Sequence, residues 1–438
     1  MLLYDEAQLR LRAETVLAGG AATFSKHWSR YPYGIAPFGI VSGEGTYVTG
    51  TNGHTYIDTV GALGPNLLGY GHAAVTEAVT KQARMGASFS AVHPLEIEVA
   101  ELLCDLIPCA EMVRFGKNGT DATGMAVRLA RAVTGHKHMI FVGYSGGAND
   151  SYGVTTDKRA GILDEIAPYN HQITWSDIPG LGSLMLPWIQ SGGVAGIMAE
   201  VPALLWDTTD VHYMEGLRTL SMLAQASGAL WILDEVVTYP RYDIHGAQAL
   251  FETDPDLCTV SKGIANGLPF AALVGKYRHM DRFNTGDIFA SWTFAGDAIS
   301  LAACKATLET CRDTEALRTI RMLGQQFGSC LQEQLQRSQL PAALYGNYAR
   351  LAVKWHDLPE IATAAELRTL WLQEQAKRGA LYGIGVVFPN AAWNRQILGD
   401  LLDRSGDVCD MVERAIRDNT VHQHLECPVI TDVMSVRL

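Results

Sequence analysis

The sequence predicts an α/β protein: a mainly parallel sheet sandwiched by helices, joined to a smaller α+β part drawn from both ends of the chain. Three observations carry this. From about Gly61 to Gly275, strand-like runs alternate with helical stretches, the pattern of parallel strands joined by helical crossovers. These runs are continuously apolar, as strands buried on both faces are. Outside this stretch the pattern changes, to a hairpin signal before it and to long helices with short apolar runs after it. A chain of 438 residues is long enough for more than one core. The expected division is 1–62 and 301–438 as the two parts of a small domain, with 63–300 as the large domain.

In chain order, Glu6 to Leu17 reads as a helix that Gly19-Gly20 ends. Gly45 to Asp58 holds two β-rich runs around Asn52-Gly53, a strong hairpin turn. Strands are expected at Met112–Phe115, Met139–Val142, Gly196–Ala199, Leu230–Leu233, Leu257–Val260 and Ala271–Val274. Helical periodicity follows at Ile299–Thr310, Glu315–Gln336 and Ala364–Lys377, with apolar runs at Leu351–Trp355 and Ile384–Phe388 and a last helix near Asn394–Arg417. No repeat, low-complexity tract or long linker interrupts the pattern.

Composition narrows the function. Hydrophobic residues at 48% and charged residues at 18% belong to a folded chain. A formal charge of −12 without a basic run disfavours a nucleic-acid partner, because counterion release needs clustered Lys or Arg. The first residues show no basic start followed by an apolar stretch, and no run reaches the length of a membrane span. Eight scattered cysteines without a Cys-x-x-Cys pair suit reduced thiols and a cytoplasmic chain. The expected partners are small molecules.

The chemistry centres on Lys262, in Asp256-Leu-Cys-Thr-Val-Ser-Lys262-Gly, an amine among apolar and small residues just after a buried strand. Asp234 ends the preceding apolar strand, Leu230-Trp-Ile-Leu-Asp234, one βαβ step earlier, so the two can face one pocket. Alone, Asp234 reads as a solvated strand-end carboxylate. Arg114-Phe-Gly-Lys-Asn118-Gly119-Thr120-Asp runs from a strand into a helix, whose free N–H groups beside the Thr hydroxyl suit a phosphate. The same residues also make an ordinary N-cap. Tyr144, in Phe141-Val-Gly-Tyr144-Ser-Gly-Gly147, either covers a flat ring or caps the core. Pyridoxal 5′-phosphate (PLP) gives the first three a common purpose, since it needs an amine for its aldehyde, a carboxylate for its pyridine nitrogen and a phosphate cup, and beside it the ring reading of Tyr144 is preferred. Lysine can act as nucleophile only once deprotonated, which burial assists. His422-Gln-His424-Leu-Glu426-Cys427 has ligand-type residues, but it also fits a polar strand face or tail and lacks a second cluster, so no metal is expected.

With these motifs in order, the chain resembles the class III, fold-type I PLP-dependent aminotransferases, and most closely the glutamate-1-semialdehyde 2,1-aminomutase branch. The likeness covers nearly the whole length: Gly45-Thr-Tyr-Val to Asp58, Gly71-His72, Met112 to Ala122, Leu233-Asp-Glu-Val and Ser261-Lys262-Gly. It implies that Lys262 holds the cofactor as a Schiff base and that Asp234 pairs with the ring nitrogen. By the same resemblance Gly119 and Thr120, with Asn118, would hold the phosphate, Tyr144 would cover the ring, and Glu200 would be the strand-end glutamate near the cofactor. Thr293, in Ser-Trp-Thr293-Phe-Ala-Gly, matches a threonine that reaches the partner subunit's phosphate, which implies a homodimer with shared active sites. The implied activity is ping-pong transfer of an amino group from an amino donor to a carbonyl acceptor.

Departures from the family pattern shape this expectation. Ser145 stands where relatives carry a histidine, and Val201 where they carry a proline. The segment from Thr155 to Tyr169 is shorter than the aminomutase gating loop, and the Ser-Pro-Val-Arg motif that binds the substrate carboxylate in those enzymes is absent, with Ser25 and Arg30 as the candidate substrate-binding residues nearby at another spacing. A mutase must retain its intermediate and a transaminase must release a product, so these differences favour ordinary transamination, with intramolecular amino transfer as the alternative. The Arg-Phe-Gly-Lys-Asn-Gly variant resembles a subgroup of carbohydrate or specialised metabolism, which implies an oxo-sugar or similar small carbonyl acceptor.

Overall fold

The computed structural model describes residues 4–146, 150–154, 156–201 and 210–431. Gly147, in the glycine-rich turn, and Thr155, at the head of the shortened segment, lie outside the described residues. The described chain forms two compact units, one from residues 4–72 and 318–431 and the other from 73–201 and 210–317.

The second unit is built on a seven-stranded sheet in the order Met112–Gly116, Ala271–Gly275, Leu257–Val260, Leu230–Glu235, Val194–Glu200, His138–Val142, Asn170–Ile173. The last five strands are parallel to one another. Ala271–Gly275 runs antiparallel to both its neighbours, which corrects the expectation of one more parallel strand. The cause is the connection: between Val260 and Ala271 the chain makes only a 3₁₀ turn, Lys262–Ala265, and too few residues remain for a parallel crossover. Strands Val194–Glu200 and Leu230–Glu235 are buried at every position, so both faces are covered. Met125, Leu129, Phe141, Met198 and Ile232 pack in one core between the helix Gly119–Thr134 and the sheet. Asn170–Ile173 was not anticipated. Its Asn-His-Gln-Ile sequence has no apolar run, and it forms as an edge strand by pairing residue for residue with Met139–Val142.

The first unit takes strands from both chain ends. Tyr47–Gly50 and Thr55–Asp58 form the expected hairpin, with Gly53 at φ +82° in its turn. Ala380–Leu381 then adds parallel to Ile57 and Asp58, which joins the C-terminal part to the N-terminal part. A second sheet consists of Ala342–Asn347, Arg350–Trp355 and Val386–Val387. Helices Ala364–Lys377 and Arg395–Arg417 bury Leu370, Trp371, Leu401 and Val408 in a core shared with Phe327 and Leu331. The apolar run Ile384–Phe388 contributes only two strand residues. Val421–His424 is a helical turn, not a strand, and His422 Nδ1 lies 3.4 Å from the Glu366 carboxylate.

Candidate active site

Parallel pairing puts the chemistry at strand ends. Asp234 sits opposite Glu200 on one neighbouring strand and opposite Thr259 on the other. Its carboxylate is 3% exposed and its Oδ1 accepts from the Thr259 hydroxyl at 2.9 Å and the Val236 N–H at 3.0 Å. Burial, and then the charge of Glu200, push its pKa up to about 7, against the Val236 and Thr259 bonds and the positive charge of Lys262, which favour the anion. A buried carboxylate held at this balance is suited to a cationic ring nitrogen.

Lys262 follows the strand Leu257–Val260 and opens the 3₁₀ turn Lys262–Ala265. Its backbone is left-handed at φ +49°, a conformation that costs a non-glycine residue free energy and persists where the surroundings impose it. Ser261, whose Oγ donates to Phe270 O at 2.7 Å, fixes the residue before it. The structure thus places Lys262, just past the strand that pairs with the Asp234 strand, where its charge acts on Asp234.

The helix Gly119–Thr134 starts beside them. Asp121 Oδ2 accepts from the N–H groups of Lys117 and Asn118 at 2.8 and 2.9 Å, which shapes the turn into the helix. Gly119 packs so close to Val236 that a Cβ would come within 2.6 Å of Cγ1, so only glycine lets the helix start meet the end of the Asp234 strand. Lys117 Nζ pairs with Asp297 and donates to Ser300 Oγ at 2.9 Å. That ties the turn carrying Asn118 to the turn carrying Thr293, which is exposed.

Tyr144 is set by three elements. Its N–H donates to Glu200 Oε2 at 3.0 Å. The Gly143 carbonyl before it accepts from the Tyr152 hydroxyl at 3.1 Å and from Gln172 Nε2 at 3.0 Å. The Tyr144 ring stands edge-on to Tyr152, with centroids 5.4 Å apart at 84°. Gly143, at φ +83°, brings the turn against Glu200, where a Cβ would lie 2.9 Å from the glutamate's Cβ. The sequence singles out Glu200 and Tyr144 but not Tyr152, Gln172, Val236 and Thr259. Of these only Thr259 leaves a signal, as a hydroxyl inside an apolar strand.

Ser25 and Arg30 belong to the first unit. Ser25 Oγ meets Thr23 Oγ1 at 3.2 Å, and the buried Arg30 guanidinium donates to the Thr431 carbonyl.

A mostly parallel sheet with a lysine and a carboxylate at adjoining strand ends, and a helix start beside them, defines a PLP-dependent transferase of fold-type I. Residues 31–174 and 194–364 match the class-III aminotransferase family, and the chain belongs to it. It is 36% identical over 293 residues to a glutamate-1-semialdehyde 2,1-aminomutase of Chlorobium chlorochromatii (strain CaD3), covering 64% of this chain and 67% of the relative. Matches to similarly named relatives span 64% to 73% of their length. Among solved structures, a transaminase with PLP bound superposes with a TM-score of 0.84 at 25% identity, covering 95% of this chain and all of that one. The PLP internal aldimine form of the Sphingopyxis sp. MTA144 FumI protein also gives 0.84, at 26% identity over 96% and 99% of the two chains. The residues present fit PLP. The helix start and the Thr120 hydroxyl could hold a phosphate, Asp234 a protonated ring nitrogen, and Lys262 an aldehyde.

Proposed function

We propose that the chain is an aminotransferase that moves an amino group between an amino donor and a small carbonyl compound, with Lys262 as its reactive amine. The observation that carries this is the buried row Glu200, Asp234, Thr259 with Lys262 beside it. PLP, when bound, supplies an aldehyde and an electron-accepting ring. The side chains do the rest. Asn118, Gly119 and Thr120 anchor the phosphate through N–H and hydroxyl groups, and Asp234 keeps the ring nitrogen protonated. Glu200 fixes the backbone that presents Tyr144 to the ring face. With the cofactor bound, the Lys262 amine would serve as the base that takes the proton from the donor's Cα and, in the second half-reaction, as the acid that gives a proton to the acceptor's Cα.

Release of a keto product between the halves separates this from a mutase. The shortened segment before Asn170 and the missing Ser-Pro-Val-Arg motif support release. An oxo-sugar or similar metabolite suits the Arg114-to-Gly119 variant. The second reading, intramolecular transfer by an aminomutase, draws on the names of the curated relatives. A homodimer in which Thr293 reaches the partner's phosphate completes the proposal. A cytoplasmic setting suits eight cysteines that are all free. Among the described residues no helix is long and apolar enough to cross a membrane.

Lys262→Ala tests the assignment: turnover should fall at least a thousandfold and the visible band of lysine-bound cofactor should vanish, and undiminished turnover would refute it. Incubation with glutamate-1-semialdehyde alone separates the two readings. Isomerisation without a second substrate would replace the transaminase by the mutase.

A further inference from the structure

We infer that Ser145 is a phosphate-binding residue of this site, its hydroxyl donating to the cofactor's phosphate group; this rests on the PLP reading above. Ser145 is 1% exposed, and its Oγ has no hydrogen-bond partner among the described residues. A serine hydroxyl carries one proton to donate, and buried hydroxyls are almost always paired.

The backbone on either side leaves this residue little freedom to find a partner elsewhere. The Tyr144 N–H is held by Glu200, and the Ser145 N–H lies against the Tyr152 hydroxyl, which itself donates to Gly143 O. On the other side Gly146, at φ +99°, rests on the first turn of the helix Gly119–Thr134. A Cβ there would lie 2.8 Å from Thr120 Oγ1 and 3.4 Å from Thr123 Oγ1. Ser145 is therefore pinned one residue from the Thr120 hydroxyl, at the helix start where the anion would sit. A phosphate offers acceptor oxygens to several donors at once. Ser145 would thus join Thr120 at the phosphate, supplied by the turn that carries Tyr144.

The test compares the full-length wild-type and Ser145→Ala proteins, freed of cofactor, for binding of PLP and of pyridoxal, which lacks the phosphate. Ser145→Ala should weaken PLP binding about tenfold and leave pyridoxal binding within about twofold, and inorganic phosphate should compete less well against PLP in the variant. Thermal melting supplies a readout independent of activity. Since the hydroxyl has no partner among the described residues, the cofactor-free variant should melt no lower than wild type, while the stabilisation conferred by PLP should shrink. Equal weakening of both ligands, unchanged PLP binding, or a lower melting temperature of the cofactor-free variant would overturn the inference. Failure of wild type to bind PLP at all would instead overturn the reading beneath it, and the inference with it.

Discussion

At the scale of single residues, the informative quantity is the free energy of keeping Asp234 buried. Without cofactor its pKa stands near 7 in the folded protein against an ordinary value of 3.8, so the folded state holds the proton more tightly than the unfolded one. Stability should accordingly fall as pH rises from about 4 through about 7, then level off. At 1.36 kcal/mol per unit the ceiling is about 4 kcal/mol. Glu235, also buried and also raised to about 7, adds to the loss over the same window. Asp234→Asn keeps an oxygen for the Val236 and Thr259 bonds but removes the charge. The cofactor-free variant should therefore be more stable than wild type at pH 8 by roughly 1–4 kcal/mol in urea, with a flatter but not level pH profile. Its turnover with PLP should drop about a hundredfold or more as the ring nitrogen loses its partner. An unchanged pH slope would show that Asp234 is not the residue strained by burial.

At the scale of elements, the site depends on how closely the helix Gly119–Thr134 meets the end of the strand Leu230–Glu235. Gly119→Ala would drive a methyl into Val236, where the gap is 2.6 Å, and should destabilise the protein by about 1–3 kcal/mol while weakening PLP binding. Val236→Ala should restore much of that loss in the double variant, because it removes the colliding atoms. Denaturation of all four proteins measures the coupling, and simple additivity would contradict the close approach. Elements of this kind differ in how plainly the sequence announces them. Leu230–Glu235 and Leu257–Val260 are legible because strands buried on both faces must be apolar throughout, and of the residues that break the rule, Asp234, Glu235 and Thr259, Asp234 and Thr259 meet each other. Asn170–Ile173 is illegible because an edge strand forms through backbone pairing, which leaves no side-chain pattern. The antiparallel direction of Ala271–Gly275 could be read only from the shortness of its connection, not from its residues. Gln172 and Tyr152 hold Gly143 O through contacts that exist only once the sheet has formed.

At the scale of the whole molecule, the second unit carries apolar surface that a solitary chain would leave wet. Phe289 is 76% exposed, Phe294 61%, Val92 69% and Phe89 50%, with Trp292 also open to solvent. These side chains lie on segments that touch. Ala298 N–H donates to Ala87 O at 2.8 Å, and Gly296 packs against the Glu96 side chain, which joins the 87–96 stretch to the turn of Thr293. Trp292 and Phe289 also line a cavity of about 510 Å³ with Thr120, at the helix start where the phosphate is proposed to sit. Several exposed aromatic side chains on touching segments suit an association site. A second copy is the occupant that would also bring Thr293 to a phosphate. The purified protein should therefore sediment as a dimer, and Phe294→Glu should shift it toward monomer. Because each copy would then lose the partner's Thr293, the monomeric fraction should bind PLP more weakly than the dimer, and Thr293→Ala should weaken PLP binding without changing the sedimentation. Full PLP affinity in the Phe294→Glu monomer would show that one chain completes its own phosphate site, and that the aromatic patch serves some other contact.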